Sequence, residues 1–202
     1  MPRISAATVA DHRANQHAAL LEAAREILAA EGVHALTPAA VGARIGLARS
    51  SVYRYFASTA DILAQLVEDA FPRWSARLRT AIAPAAGPDG SLPVRIRAYG
   101  RAALDFVGSP DYALIPALQA IGLPGECRVR VDELHGDLIA PLADALREAG
   151  ADHPALRAEL AWGVLRAGAR RLMPDAPAHD AEPVGADEII EITLDVLTRA
   201  LR

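Results

Sequence analysis

Two arginines, two serines and a tyrosine lie within the segment 49–54 of the sequence. Arg49 and Tyr53 are four residues apart, as are Ser50 and Arg54, so on a helix the four side chains share one broad face. An arginine guanidinium can pair with both acceptors of a guanine, and serine or tyrosine hydroxyls reach phosphate oxygens. The pattern therefore favours a surface that binds duplex nucleic acid.

Two short helices joined by a tight turn are predicted to carry this surface. Thr37 is suited to a helix N-cap and Pro38 to the first helical position. Gly46 tolerates the positive φ that a left-handed helix cap requires. A second short helix is predicted over residues 49–56, which completes a helix-turn-helix.

Apolar residues on the opposite side must anchor that second helix. Val52 and Phe56 are four residues apart and are predicted to point inward. A longer helix that contains residues 20–28 and ends at Gly32 supplies the supporting surface. The whole arrangement is a three-helix unit with its polar face turned outward.

Composition and charge narrow the classes of protein that this chain can be. Its 202 residues include 21 basic residues, all of them arginine, and 25 acidic residues, which gives a net charge of -4. Residues 1–60 hold six arginines and four acids, net +2, whereas residues 61–202 hold the other 15 arginines and 21 acids, net -6. A basic head on an acidic body permits an anionic partner at the head. Because Cys127 is the single cysteine, an internal disulfide is excluded.

Helical periodicity continues to the end of the chain, with loops rich in proline and glycine between the helices. No alternating strand pattern of useful length is present, so the predicted class is all-α with about nine helices. The amino terminus lacks the apolar run of a signal peptide, and the charge-free run 112–125 is too short and too interrupted to span a bilayer. We therefore expect a cytoplasmic protein.

The segments 37–47 and 49–56 resemble the DNA-binding signature of the tetracycline-repressor (TetR) family. The alanine-rich helix before them and Asp61-Ile62-Leu63 after them are similar too, and the resemblance covers about residues 15–68. It implies an all-helical homodimer that represses transcription from a palindromic operator in double-stranded DNA and is released by a small-molecule ligand. Two positions depart from the family pattern: Ala48 replaces the usual polar cap, and Thr59 replaces a common lysine.

The resemblance also implies a domain organisation and a set of DNA-binding residues. It assigns residues 1–14 to a flexible arm, 15–60 to the DNA-binding domain and 61–202 to a helical domain for ligand binding and dimerisation. The predicted DNA-binding residues are Thr37, Arg44, Arg49, Ser50, Ser51, Tyr53, Arg54, Tyr55 and Thr59.

The carboxy-terminal helices are expected to pair two subunits and to form a ligand pocket. Small residues let helices approach closely, and apolar residues add buried area. The predicted dimer-interface residues are Leu160, Gly163, Val164, Ala167, Gly168, Ile190, Leu194, Leu197 and Leu201. Ligand pockets are mostly apolar with a few polar anchors. The candidate ligand-binding residues are Trp74, Tyr99, Phe106, Tyr112, Gln119, His135 and Trp162.

An alternative interpretation is a small helical enzyme or carrier in which the helical hairpin only packs. Residues 132–137 hold two aspartates, a glutamate and His135, but on a helix these point to different sides, as a solvated face does. Neither a glycine-rich phosphate loop nor a nucleophile elbow is present. We therefore expect no enzymatic activity, no metal and no cofactor.

Overall fold

The computed structural model describes residues 9–83, 90–121, 125–173 and 184–201. Within these ranges the chain forms nine α-helices and no strand, which confirms the predicted all-α class. The helices are α1 (Val9–Glu31), α2 (Pro38–Arg44), α3 (Arg49–Val52), α4 (Thr59–Ile82), α5 (Leu92–Leu104), α6 (Leu114–Ile121), α7 (Gly125–Glu148), α8 (Pro154–Arg171) and α9 (Ala186–Ala200). Two short 3-10 segments, Asp105–Gly108 and Pro110–Ala113, connect α5 to α6.

The described residues divide into two compact units. The first unit draws them from Met1–Asp69 and Ala113–Val129, and the second from Ala70–Tyr112 and Arg130–Arg202. The boundaries expected after residues 14 and 60 stay predictions. Of the expected arm, residues 1–8 lie outside the described part of the chain, and residues 9–14 belong to α1.

Apolar side chains from four helices build the core of the first unit. α1 packs against α2, and α2 packs against α3. The buried residues are Leu20, Ala24, Ile27, Leu28, Val41, Val52, Phe56, Ile62, Leu63 and Leu66. Gly32 ends α1 with a φ of 79°, as its position in the sequence predicts. The three-helix unit expected around residues 20–56 is therefore present.

α3 is shorter than the predicted helix. The sequence pattern indicates a helix over residues 49–56, but α-helical geometry ends at Val52 and turns follow. The turn residues stay hydrogen-bonded, since Tyr55 N donates to Val52 O over 2.8 Å and Phe56 N donates to the same oxygen over 3.0 Å. The apolar spacing of Val52 and Phe56 is compatible with either geometry, because both keep the two side chains on the core side.

In the second unit, α5 packs against α8 and α9, and α8 packs against α9. Two glycines allow these approaches. A Cβ on Gly100 would lie 2.7 Å from a methyl carbon of Leu194 and 2.7 Å from one of Leu197. A Cβ on Gly168 would overlap with the Thr193 side chain. Helix surfaces this close leave no room for a larger residue.

Proline inside a helix removes one backbone hydrogen bond and usually bends or breaks the helix. Pro72 is expected to do so in α4, and Pro141 in α7. Both helices nevertheless continue past their prolines, from Thr59 to Ile82 and from Gly125 to Glu148. Pro72 is exposed, so the carbonyl that loses its partner there can be hydrated.

Candidate nucleic-acid interface

α2 is capped at both ends, and the backbone hydrogen bonds at its carboxyl end close the turn toward α3. Thr37 caps the helix, and its Oγ1 accepts a hydrogen bond from Ala40 N over 3.1 Å. At the other end Gly46 has a φ of 70°. Its N–H donates to Ala43 O over 3.2 Å, and Leu47 N donates to Gly42 O over 2.8 Å, which is a Schellman cap.

Gly42 has a packing role that the sequence analysis did not identify. It is buried in α2, and a Cβ built on it would overlap with Cγ2 of Val52 and lie 3.2 Å from Leu47 O. Only glycine at this position lets α2 and α3 approach so closely. A glycine in the interior of a short helix, where it weakens helix propensity, is the sequence signal that could have pointed to this contact.

The outward side of residues 49–54 carries the polar face that the sequence predicts. Arg49, Ser50 and Arg54 are exposed, and Tyr53 is 46% exposed. The Arg49 guanidinium lies 5.8 Å from the centre of the Tyr53 ring, within cation–π range. The Arg54 side chain forms no hydrogen bond or ion pair with another residue of the described ranges. Two cations and two hydroxyl groups are thus available on one surface.

A side-chain cap is absent at the start of α3. Ala48 occupies the N-cap position and has no side-chain acceptor to offer the first turn. An alanine in place of serine or threonine there typically costs about 1 kcal/mol of helix stability. The core contacts of Val52, which is fully buried, must stabilise α3 instead.

Four other predicted DNA-binding residues of the first unit are less available to DNA. Three have polar groups that already form hydrogen bonds or ion pairs within the protein, and the fourth is half-buried. The Tyr55 hydroxyl donates to Gln16 Oε1 over 2.9 Å, and Thr59 Oγ1 donates to Leu36 O over 2.7 Å. Arg44 forms ion pairs with Glu31 at 2.5 Å and with Glu26 at 3.6 Å. Ser51 is half-buried. The exposed polar face whose side chains pair only with one another therefore consists of Arg49, Ser50, Tyr53 and Arg54. Within it, Arg49 Nη2 donates to the Tyr53 hydroxyl over 3.4 Å.

The candidate ligand-binding residues of the second unit form two sets of ring contacts. In the first set, the ring centres of Trp74 and Phe106 are 4.7 Å apart and those of Phe106 and Tyr112 are 5.7 Å apart. Trp74 Nε1 donates to Asp111 Oδ2 over 3.2 Å, and Arg73 also donates to this buried carboxylate. The indole N–H of this set is thus satisfied inside the protein.

In the second set, the Trp162 ring lies 6.5 Å from Tyr99 and 5.5 Å from His135. The Tyr99 hydroxyl donates to Leu138 O over 2.8 Å, and burial raises the pKa of Tyr99 well above its usual range. Trp162 Nε1 is buried and has no hydrogen-bond partner in the described part of the chain. The structure does not describe the side chain of Gln119, the seventh candidate.

His135 has a pKa below its ordinary value of 6.5 because burial and then the nearby Arg166 disfavour its charged form, against a smaller opposite effect of Asp132. The unfolded chain then binds this proton more readily than the folded chain. We expect the free energy of unfolding to fall as the pH drops from 6.5 toward the lower pKa of the folded state. Above pH 6.5, His135 should not change the free energy of unfolding.

Replacing His135 by phenylalanine should remove this contribution and flatten the pH dependence. Thermal unfolding of the wild type and of His135→Phe between about pH 7.5 and 5 measures it, since the window brackets the ordinary histidine pKa. Identical slopes in the two proteins would show that the ring is not held neutral by its surroundings.

The predicted dimer-interface residues separate into buried and accessible ones. Leu160 is 66% exposed, Ala167 is exposed, and Gly163, Val164 and Ile190 are half-buried. Four others lie in the core of the chain itself and have no surface to offer a second copy: Gly168, Leu194, Leu197 and Leu201. The sequence pattern could not separate them because α9 carries apolar residues on two sides.

Large exposed apolar residues, Leu160 of the predicted interface among them, lie on α8 and α9. Leu156 and Leu160 are four residues apart on α8, and Ile192 and Val196 are four residues apart on α9, each about half exposed or more. We call these four residues the α8–α9 apolar stripe. Large apolar residues that recur at helical spacing on a surface usually mark an interaction site.

The described ranges contain neither a group of metal ligands nor a membrane-spanning helix. No three or more histidine, cysteine, aspartate or glutamate side chains are grouped there as a metal site requires. Among the described helices none has both the length and the apolar character needed to cross a bilayer.

The comparison with known families identifies the first unit. Residues 20–66 match the profile of the bacterial regulatory proteins of the tetR family. Residues 20–66 are therefore similar to the DNA-binding segment of the tetR family. The matched segment contains the polar face, both caps of α2 and the first turns of α4. This match supports a DNA-binding transcriptional regulator with a helix-turn-helix, as the resemblance implies.

Solved structures share the fold of this chain over nearly its full length. The fatty acid degradation regulator FadR from Bacillus halodurans has a TM-score of 0.69 at 16% identity, covering 92% of this chain and 94% of that one. FadR from Bacillus subtilis in complex with stearoyl-CoA has a TM-score of 0.68 at 17% identity, covering 92% and 97%. The TetR family regulator PfmR from Thermus thermophilus has a TM-score of 0.61 at 24% identity, covering 91% and 98%. No curated protein matches the sequence significantly.

Proposed function

We propose that this chain is a homodimeric repressor that binds a palindromic operator through residues 49–54 and leaves it when a small molecule binds. The exposed polar face of Arg49, Ser50, Tyr53 and Arg54 on the buried frame of α2 and α3 carries the proposal. Arginine supplies bidentate donors for guanine, and the hydroxyls supply phosphate contacts.

Dimerisation follows from the small size of this face. One short helix contacts few base pairs, so two copies spaced by about one or more helical turns must add their binding energies on a two-fold symmetric site. The α8–α9 apolar stripe supports a pairing surface on helices that pack against each other within one chain. Two helices from each copy would form a four-helix interface.

Ligand control is supported by the second set of aromatic contacts. A buried N–H without a partner costs roughly 1–3 kcal/mol, and such groups often serve a bound molecule. The Trp162 N–H beside His135 and Tyr99 suits a ligand with an apolar body and a hydrogen-bond acceptor. The structurally similar FadR of Bacillus subtilis is bound to stearoyl-CoA, a molecule that combines the two features.

The proposed release acts through α4, which contributes residues to both units. A ligand that shifts α4 would separate the two DNA-binding units of the dimer and end binding to the operator. A change from 1:99 to 99:1 in favour of the released state requires a preference of about 10⁴-fold for that state.

Selection from a random duplex pool tests the proposal without assuming an operator sequence. The wild-type protein is expected to enrich a two-fold symmetric sequence, and its affinity should fall steeply as salt rises, because phosphate contacts release counterions. Failure to enrich any sequence would favour the alternative, a helical enzyme or carrier in which the hairpin only packs.

Substitutions within the polar face should separate base reading from phosphate binding. Arg49→Ala is expected to relax sequence preference at one position of each half-site, with a loss of about 1–3 kcal/mol against the preferred base. Tyr53→Phe should weaken binding to all duplexes alike, because the hydroxyl is assigned to a phosphate. Competition gel shifts with the enriched duplex and its single-base variants measure both effects. Equal losses on every duplex for both variants would contradict this division of roles.

A further inference from the structure

The carboxamide of Gln65 in α4 connects three segments of the first unit. Its Nε2 donates to Tyr55 O over 3.2 Å and to Asp61 Oδ1 over 3.0 Å, and its Oε1 lies 2.6 Å from His17 Nε2 in α1. A backbone carbonyl and an ionised carboxylate can only accept, so the NH₂ group must face them. Gln65 Oε1 therefore faces His17, and His17 Nε2 carries the hydrogen.

Tyr55 follows directly after the polar face and is held from two sides. Its carbonyl is bound by Gln65 on α4, and its hydroxyl is bound by Gln16 on α1. Its ring stacks on His17 with ring centres 6.1 Å apart. The end of the segment that carries Arg49 to Arg54 is thus clamped between α1 and α4.

The residue after Phe56 is attached to the same helix. Ala57 N donates to Asp61 Oδ2 over 2.8 Å, while the other oxygen of that carboxylate accepts from Gln65. Asp61 N donates in turn to Ser58 Oγ over 3.1 Å, which begins α4 with a capping arrangement. Both neighbours of Phe56 are therefore hydrogen-bonded to the first two turns of α4.

Apolar anchors alone do not fix the direction of the polar face. Val52 and Phe56 hold the segment along one line in the core, and rotation about that line would change where Arg49 and Arg54 point. The hydrogen bond from Gln65 to Tyr55 O is attached away from this line, so it opposes the rotation. Displacements of about 1 Å are enough to misalign a bidentate contact with a base.

We propose that Gln65 is a positioning residue for sequence recognition, which sets the direction of residues 49–54 by hydrogen-bonding the Tyr55 carbonyl to α4 while its own carboxamide is held by His17 of α1. This inference rests on the proposed DNA-binding function. Gln65 does not touch DNA itself, so its removal weakens recognition of a preferred sequence and leaves the attraction to any duplex in place.

The test uses the full-length protein with two probes, the duplex enriched by the wild type from a random pool and an alternating dI-dC duplex. Gln65→Met keeps the side-chain length and removes all three hydrogen bonds. Its affinity for the enriched duplex is expected to fall about tenfold, the effect of losing one or two net hydrogen bonds. Affinity for the alternating duplex should change less than about twofold, and the slope of affinity against salt should stay the same.

Two further variants distinguish a loss of positioning from a general loss of stability. Gln65→Glu still accepts from His17 but cannot donate to Tyr55 O, and it adds a negative charge beside Asp61, so it should lose at least as much recognition as Gln65→Met. Ile27→Val thins the same core at a buried position with no bond to Tyr55. It should lower the melting temperature while leaving the ratio of the two affinities unchanged.

Equal affinity of Gln65→Met and the wild type for the enriched duplex would overturn the inference, as would a proportional loss on both duplexes. If Gln65→Met has no cooperative thermal transition, Gln65→Glu and Gln16→Met, which frees the Tyr55 hydroxyl, give the same readout. An unchanged affinity ratio in those two variants would also overturn it. A wild-type protein that enriches no duplex would instead refute the proposed function.

Discussion

Alanine at position 42 is expected to disrupt the helix-turn-helix and abolish recognition of the operator. The added Cβ would overlap with Cγ2 of the fully buried Val52, so α2 and α3 must separate. Inserting a methyl group into a packed interior typically costs about 1–3 kcal/mol, and the intrinsic gain of alanine over glycine in a helix is about 1 kcal/mol. Because the overlap here is with a β-branched side chain in the core, we expect a cost near the upper end and a net loss of about 2 kcal/mol. Chemical denaturation and gel shifts on the enriched duplex measure the two losses.

A second substitution can relieve the overlap at position 42. In Gly42→Ala/Val52→Ala the offending methyl group is gone, and we expect the double variant to be more stable than the sum of the two single losses by about 1 kcal/mol or more. Gly136→Ala is the matched control, because a Cβ there meets nothing within 4 Å and should stabilise α7. If Gly42→Ala is as stable as the wild type, the close approach of α2 and α3 does not depend on glycine.

Glutamate at position 160 is expected to separate the dimer and to reduce operator affinity more than about 100-fold, because two half-sites then no longer add their binding energies. Leu160 lies in the α8–α9 apolar stripe and is 66% exposed, so the single chain should fold normally. Sedimentation velocity at micromolar concentration measures the change from dimer to monomer.

Val129→Glu provides the control for this charge insertion, since Val129 is 60% exposed on α7 and outside the stripe. Ile192→Glu on α9 should have the same effect as Leu160→Glu. A wild-type protein that sediments as a monomer, or a Leu160→Glu variant that stays dimeric, would contradict the assignment of the stripe to the interface.

Local signals in the sequence predicted most of the helical framework. Thr37, Pro38 and Gly46 each have one strong conformational preference, and α2 has the caps that those preferences require. The polar face of residues 49–54 followed from the same reasoning, because helical spacing alone places Arg49 and Tyr53 together. Such features depend on neighbours within a few residues.

Features that depend on distant partners were not predictable in this way. Gln65 and His17 are 48 residues apart, and no local pattern connects them. The overlap that excludes alanine at Gly42 involves a methyl group of α3, and the burial of Leu194 and Leu197 depends on how α9 meets α5. Packing between elements decides these contacts, and a single sequence records only that small or apolar residues are present.

The weak start of α3 has a thermodynamic consequence for gene control. With four residues of α-helix and an alanine where a polar cap would stand, α3 gains no stability from a side-chain cap. In the proposed repressor, part of the affinity for the operator would then offset the conformational entropy lost when the segment binds in the groove. The proposed repressor would bind its operator less tightly than its contacts alone would allow, and a ligand would have less binding free energy to overcome in releasing it.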